Sequence, residues 1–281
     1  SQCETRFALR SIERSDHMSA VRLFALASAG ILLVSSARAQ YFATEVISYT
    51  PGTGAHADYN DPNQALGAPT VFIGYQDADP FNSPYQPAHL VALGEGGSLI
   101  LRFDQPIYNA PGNPFGLDFI VFGHAGFAIT NGDFSGGGIT DGSLFAGGTA
   151  EVRVSVSVDG ITFYTLDPML APAVDGLYPT DASGNPFLPV NPALTAADFA
   201  GKTLAEIRAL YAGSAGGAGF DLSWALDEAN QSVALTAVQY VRFDNLSGAA
   251  YLDAVSVVPE PAAGALFAVA AVLFGLRRTR S

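Results

Sequence analysis

The chain has 281 residues, 49% of them hydrophobic and 14% charged, with 26 acidic side chains against 13 basic ones and a net charge of −13. That apolar content excludes a disordered chain, and the acidic balance excludes nucleic acid as a partner. The single cysteine, Cys3, excludes a disulfide framework and a thiolate zinc site alike.

Residues 1–17 are polar and lack periodicity, and we read them as an over-extended start ahead of Met18. Residues 18–39 have the anatomy of a secretory signal peptide. Arg22 supplies the positive start, Leu23 to Val34 (LFALASAGILLV) is a twelve-residue apolar region, and Ala37-Arg38-Ala39 is a small-x-small cleavage site. Cleavage after Ala39 makes Gln40 the first mature residue and leaves an exported chain without cysteine.

Residues 40–258 read as one domain. They carry 22 acids against five bases (Arg102, Arg153, Lys202, Arg208 and Arg242), a net of −17. A domain of that charge repels polyanions and attracts divalent cations weakly. Strand signals recur along it. Ala43 to Tyr49 is the first. Leu99, Leu101 and Phe103 alternate with Ile100 and Arg102, and Leu117 to Phe122 is apolar enough for a central strand. Val152, Val154, Val156 and Val158 alternate with Arg153, Ser155 and Ser157. Asp159-Gly160 then predicts a two-residue hairpin turn returning through Ile161 to Leu166. Phe220 to Leu226, Val233 to Leu235, Val238 to Phe243 and Leu252 to Val257 add four more strands. One helix is predicted, opening at a capping box Thr195–Asp198, running through Leu204, Ile207, Leu210 and Tyr211, and stopping at Gly213. About nine strands separated by Gly, Pro, Asn and Asp clusters predict an all-β sandwich or jelly roll. Two long loops, Gly52 to Pro87 and Pro168 to Asn191, would gather at its rims, where binding sites usually sit.

Residues 259–281 form a separate tail. Pro259-Glu260-Pro261 precedes fifteen apolar residues, Ala262 to Leu276, and then Arg277-Arg278-Thr279-Arg280. As a helix, 262–276 would span roughly 22 Å, short against a hydrocarbon core of roughly 30 Å, so it suits a thin bilayer or snorkelling arginines. The arginines should stay cytoplasmic. The order of a Pro-Glu-Pro motif, a short membrane stretch and a basic end resembles the PEP-CTERM sorting signal. That resemblance implies recognition by an exosortase, a membrane-embedded sorting enzyme of Gram-negative bacteria, in a system associated with exopolysaccharide and biofilm. It implies a protein of the cell envelope, cell surface or extracellular matrix. The plainer alternative is a simple C-terminal anchor.

The mature domain also resembles the galactose-binding-like jelly roll of discoidin domains and several carbohydrate-binding modules. The resemblance rests on Ala65-Leu66-Gly67-Ala68-Pro69, on Leu93-Gly94-Glu95-Gly96-Gly97-Ser98, and on Val154 to Phe163; combined with Phe220 to Ala225 and the last strand, they also resemble surface proteins that carry the same sorting tail. Some modules of that fold hold a structural calcium between an acid on the first strand and an acid on the last. Glu45 and Asp253 match that placement; the alternative is that both are solvated or paired to Arg102 or Arg242.

No catalytic set stands out. His56, His89 and His124 lie 33 and 35 residues apart without a short-spaced metal pair, and they read as rim histidines. There is no GxSxG elbow, and 22 acids cannot be sorted into a glycosidase pair by sequence. Trp224, in register with Leu222 and Leu226, reads as core. Tyr59, Tyr75, Phe81, Tyr85 and Tyr178 are loop aromatics that either stack on a sugar ring or pack the loops onto the sandwich. Three functions remain open: a non-enzymatic surface or matrix protein, a carbohydrate-binding module, and a secreted hydrolase.

Overall fold

A computed structural model describes residues 41–147 and 149–260. The signal segment with Ala37, Ala39 and Gln40, and the tail residues Pro261, 262–276, Arg277 and Arg278, lie outside the described residues.

Fourteen β segments build the domain: β1 Glu45–Thr50, β2 Val91–Leu93, β3 Ser98–Tyr108, β4 Phe119–Gly123, β5 Gly126–Phe127, β6 Ile139–Thr140, β7 Leu144–Phe145, β8 Glu151–Ser157, β9 Tyr164–Leu166, β10 Lys202–Thr203, β11 Ala218–Phe220, β12 Ala225–Leu226, β13 Ala237–Ser247 and β14 Ala250–Val257. Two antiparallel sheets carry the fold. The larger has the order β1-β3-β13-β8-β9-β12, the smaller β11-β4-β14-β2. Two short ribbons, β10-β6 and β5-β7, lie in the connections.

The period-two reading of Leu99, Leu101 and Phe103 holds: these three are fully buried while Arg102 on the opposite face pairs with Glu45. They meet Phe119, Val121, Leu252 and Val255 of the smaller sheet in one hydrophobic cluster, so the two sheets share a core and the chain is an all-β sandwich. The unbroken apolar run through β4 has a separate cause. Phe119 and Val121 face the shared core, while Ile120 and Phe122 pack with Ala215, Ala254 and Val258 on the other face. The smaller sheet is covered on both sides, which removes the need for polar alternation.

Four expectations change. The chain from Phe220 to Leu226 is not one strand. A 3-10 turn, Leu222–Trp224, separates β11 in the smaller sheet from β12 in the larger, so this segment crosses between layers. Trp224 is still half-buried against the main core. Val233 to Leu235 forms no strand; the Val233 N–H donates to the Ala225 carbonyl, and β13 begins only at Ala237. Asp159-Gly160 does not make a two-residue turn, because only Gly160 has positive φ. Asp159 instead accepts the N–H groups of Ile161 and Thr162, and the return strand starts only at Tyr164.

The single expected helix is two. In α1, Ala196–Phe199, the Thr195 N–H and hydroxyl both donate to Asp198. A second capping box, Thr203 with Glu206, opens α2, Leu204–Tyr211, which ends at Ala212 in the left-handed region. Both helices bury aromatic and aliphatic side chains in a second cluster with Phe81, Phe127 and Val190. Arg208 ties α2 down through a bidentate pair to buried Asp181 at 2.7 and 3.0 Å. The long loops are therefore a packed layer with a small core of their own.

Candidate functional site

The end of β4 and the start of β14 lie side by side, with Leu252 opposite Gly123. His124 follows Gly123 out of the sheet. Asp175, from the second long loop, folds over this point. Its Oδ1 accepts the N–H groups of His124 and Ala125 at 2.8 and 2.7 Å, and its Oδ2 bonds to His124 Nδ1. The carboxylate is buried and the imidazole is mostly covered. In the neutral imidazole, a buried carboxylate on Nδ1 favours the proton there and leaves Nε2 as the acceptor.

The imidazole begins a row of rings. Tyr251 of β14 lies 4.3 Å from it, centroid to centroid. Tyr59 meets Tyr251 edge-on at 5.2 Å, and His56 meets Tyr59 edge-on at 5.2 Å. The Tyr59 hydroxyl donates to the carbonyl of Tyr85. The Gln86 amide reaches the Tyr85 hydroxyl and the Ile73 carbonyl, joining the two halves of the first long loop. Burial raises the Tyr251 phenol above its usual range, with the neighbouring Tyr59 and Asp175 adding to the shift, so it stays a neutral donor.

The expected sugar-stacking residues thus divide. Tyr59 belongs to the row, and Tyr85 meets it only through the backbone carbonyl that accepts the Tyr59 hydroxyl. Tyr75 is strongly exposed and its hydroxyl bonds to Asn82 in the adjoining turn. Phe81 is buried and Tyr178 packs against the second cluster, which is the loop-packing alternative. The sequence reading missed Tyr251 and Asp175, and it placed His124 as a rim histidine when it is half-buried and carboxylate-bound. Its position at the end of a fully buried strand was the one available signal; nothing local marks Asp175.

Glu45 and Asp253 take different partners. Glu45 pairs with Arg102 at 3.0 Å on the outer face of the larger sheet. Asp253 lies at a bulge in β14, in the smaller sheet, and accepts the N–H and hydroxyl of Thr70 at 2.9 and 2.8 Å. Among the described residues no three His, Cys, Asp or Glu side chains are grouped to hold a metal. His89 does not join the row through any hydrogen bond; its N–H donates to Gln86, and burial lowers its imidazole below the usual range.

The other end of β14 is the exit toward the tail. Tyr41 accepts the Val257 N–H, and Phe42 bridges Ser256, so the first described residues lie against the last strand. Val258 donates its N–H to the Asp118 carbonyl and is buried, and Glu260 is exposed two residues later. At roughly 3.3 Å per residue, Tyr251 and Val257 stand about 20 Å apart along one strand. No protein-family model matches the chain, and no curated protein matches it.

Proposed function

We propose that the chain is an exported, non-enzymatic protein of a Gram-negative cell surface or extracellular matrix, sorted by an exosortase at Pro259-Glu260-Pro261, and that its sandwich binds extracellular polysaccharide. The observation that carries this reading is the polarity of β14. The strand begins in the ring row at Tyr251 and ends at the sorting motif, so a bilayer-tethered domain holds its aromatic face away from the membrane.

The row has the composition of a sugar site. Ring faces of Tyr59 and Tyr251 suit the apolar face of a pyranose, while His124 Nε2 and the phenols suit hydroxyl groups. The net charge of −17 over residues 40–258 favours a neutral glycan over a uronic-acid polymer. A galactose-binding-like jelly roll is the finer fold this reading implies, supported by two antiparallel sheets with long loops at the rim.

The test is binding of the mature chain to a panel of neutral and acidic oligosaccharides. Neutral sugars should bind, and Tyr59→Ala should weaken them about tenfold, the equivalent of one lost ring contact. Silence across the panel, or binding indifferent to Tyr59→Ala, defeats the reading.

The His124–Asp175 pair favours one second reading, a secreted hydrolase in which the oriented imidazole acts as general base. Among the described residues no Ser or Thr hydroxyl is hydrogen-bonded to His124, so such an enzyme would have to activate water. Glycan cleavage that disappears in His124→Gln, with binding retained, would establish it.

A further inference from the structure

The end of the sandwich where the chain leaves has a surface of its own. Tyr41, Pro106 and Tyr108 line a groove with Val257 to Glu260. Tyr108 is 48% exposed, and Phe115, in the loop after β3, is 55% exposed. That loop is fixed to the exit. The Asp118 carboxylate accepts the Ala110 N–H and the Asn113 side-chain amide, and the Asp118 carbonyl accepts the Val258 N–H. Phe115 has φ 59° and ψ 12°, the left-handed region, and the next residue, Gly116, has φ 73°. A side chain other than glycine there costs about 1–2 kcal/mol. The loop thus carries an exposed aromatic in a conformation that glycine would adopt more readily.

We propose that this rim, Tyr108 and Phe115 with Tyr41 and Pro106, docks into the interfacial zone of the bilayer that anchors the chain's own tail. The inference rests on the reading of 262–276 as a membrane helix. The linker decides it. From Val258 to Ala262 the chain can reach at most about 14 Å when fully extended. The headgroup zone takes roughly 6 Å of that. That leaves about 8 Å, and a fifteen-residue helix, about 8 Å shorter than the hydrocarbon core, takes up whatever part of it bilayer thinning and snorkelling arginines do not. The exit end of the domain therefore sits within about 8 Å of the headgroup surface. Amphipathic aromatics are the side chains that favour this layer, and Tyr108 and Phe115 are where the geometry requires them. The docked state is the uncut precursor, and it holds Pro259 and Glu260 at membrane level, within reach of a membrane-embedded enzyme. The acidic charge of the domain selects a zwitterionic surface.

The experiment uses the full chain carrying Cys3→Ser, reconstituted in phosphatidylcholine vesicles. A nitroxide is placed singly at Pro111→Cys, Leu246→Cys or Ala270→Cys, and depth is read from oxygen against nickel-chelate accessibility. Pro111 is exposed in the Phe115 loop, and Leu246 lies near the opposite end of β13. The expected result is an interfacial label at 111, an aqueous one at 246 and an acyl-chain one at 270. Tyr108→Ser with Phe115→Ser should return the 111 label to the aqueous value. A label at 111 as water-exposed as that at 246, with 270 in the acyl chains, overturns the docking and leaves the anchor standing. A label at 270 in water overturns the anchor and the docking with it. A 111 label unmoved by the double substitution overturns the role of the two aromatics.

Discussion

A Cβ on residue 123 would lie 2.4 Å from Oδ1 of Asp175, so Gly123 exists at the end of β4 to let that carboxylate approach. The carboxylate is itself buried and bonded to the two backbone N–H groups that follow, and cannot withdraw without stranding them. Gly123→Ala should therefore cost about 1–3 kcal/mol in urea unfolding and break the His124–Asp175 bond, visible as a change in the imidazole nitrogen resonances.

Asp175→Asn separates the charge from the shape. The asparagine carbonyl can still accept the N–H groups of His124 and Ala125, but its NH₂ then faces His124 Nδ1, which must give up its proton to accept. The expected outcome is a switch of the neutral imidazole to the Nε2–H tautomer and a loss of about 1.5–3 kcal/mol, the range for a hydrogen bond to a charged group. Nitrogen chemical shifts and a denaturant titration check the two parts separately.

Acid should stabilise this domain before it harms it. Burial pushes Asp253 up to about 7 and Asp118 up to about 6, against hydrogen bonds that favour their charged forms. Above pH 4 the unfolded chain has released these protons while the folded chain still holds them. Their stabilisation is full below about pH 4 and is lost as pH rises through 6 and 7. Asp61, Asp133, Asp159, Asp198 and Glu206 act oppositely. Hydrogen bonds hold them below the usual carboxylate range, and their contribution fades as pH falls below about 4. Melting temperature should thus climb from pH 8 to pH 5 and fall again under stronger acid. Asp253→Asn keeps an acceptor and a donor for Thr70 and should flatten that climb, raising stability at pH 8 by up to about 4 kcal/mol. Calorimetry across pH measures both; a variant whose profile parallels the parent's would contradict the assignment.

Phe115→Gly should leave the fold intact and stabilise it by about 1 kcal/mol in detergent-free thermal melts, because glycine adopts φ 59° without the steric penalty. A destabilised variant would mean that the Phe115 ring contributes packing greater than its backbone strain.

Much of the sandwich was legible locally. Period-two alternation identified the buried residues of β3, and the solid apolar run identified β4 as central, because burial of one face or of both leaves its trace within a few residues. The two capping boxes are short-range patterns too, although only one was read. The errors fell where a tertiary demand overrode a local one. The Phe220 to Leu226 segment has strand composition, yet it must pass from one sheet to the other, and a 3-10 turn makes the crossing. Tyr59 and Tyr85 were legible as loop aromatics, but which of five loop rings would stay outside depended on the second core.

Composition and pattern were sufficient for the all-β class, the acidic surface and the order of the terminal motifs, since each is a property of neighbouring residues. They were silent on which distant side chains meet. His124 and Asp175 are 51 residues apart, and Tyr251 is further still. Glu45 and Asp253, matched by their places on the first and last strands, take different partners on different sheets. Periodicity says that a side chain faces inward; the stacking of two sheets and the folding of long loops choose its neighbour, and only the folded chain makes that choice.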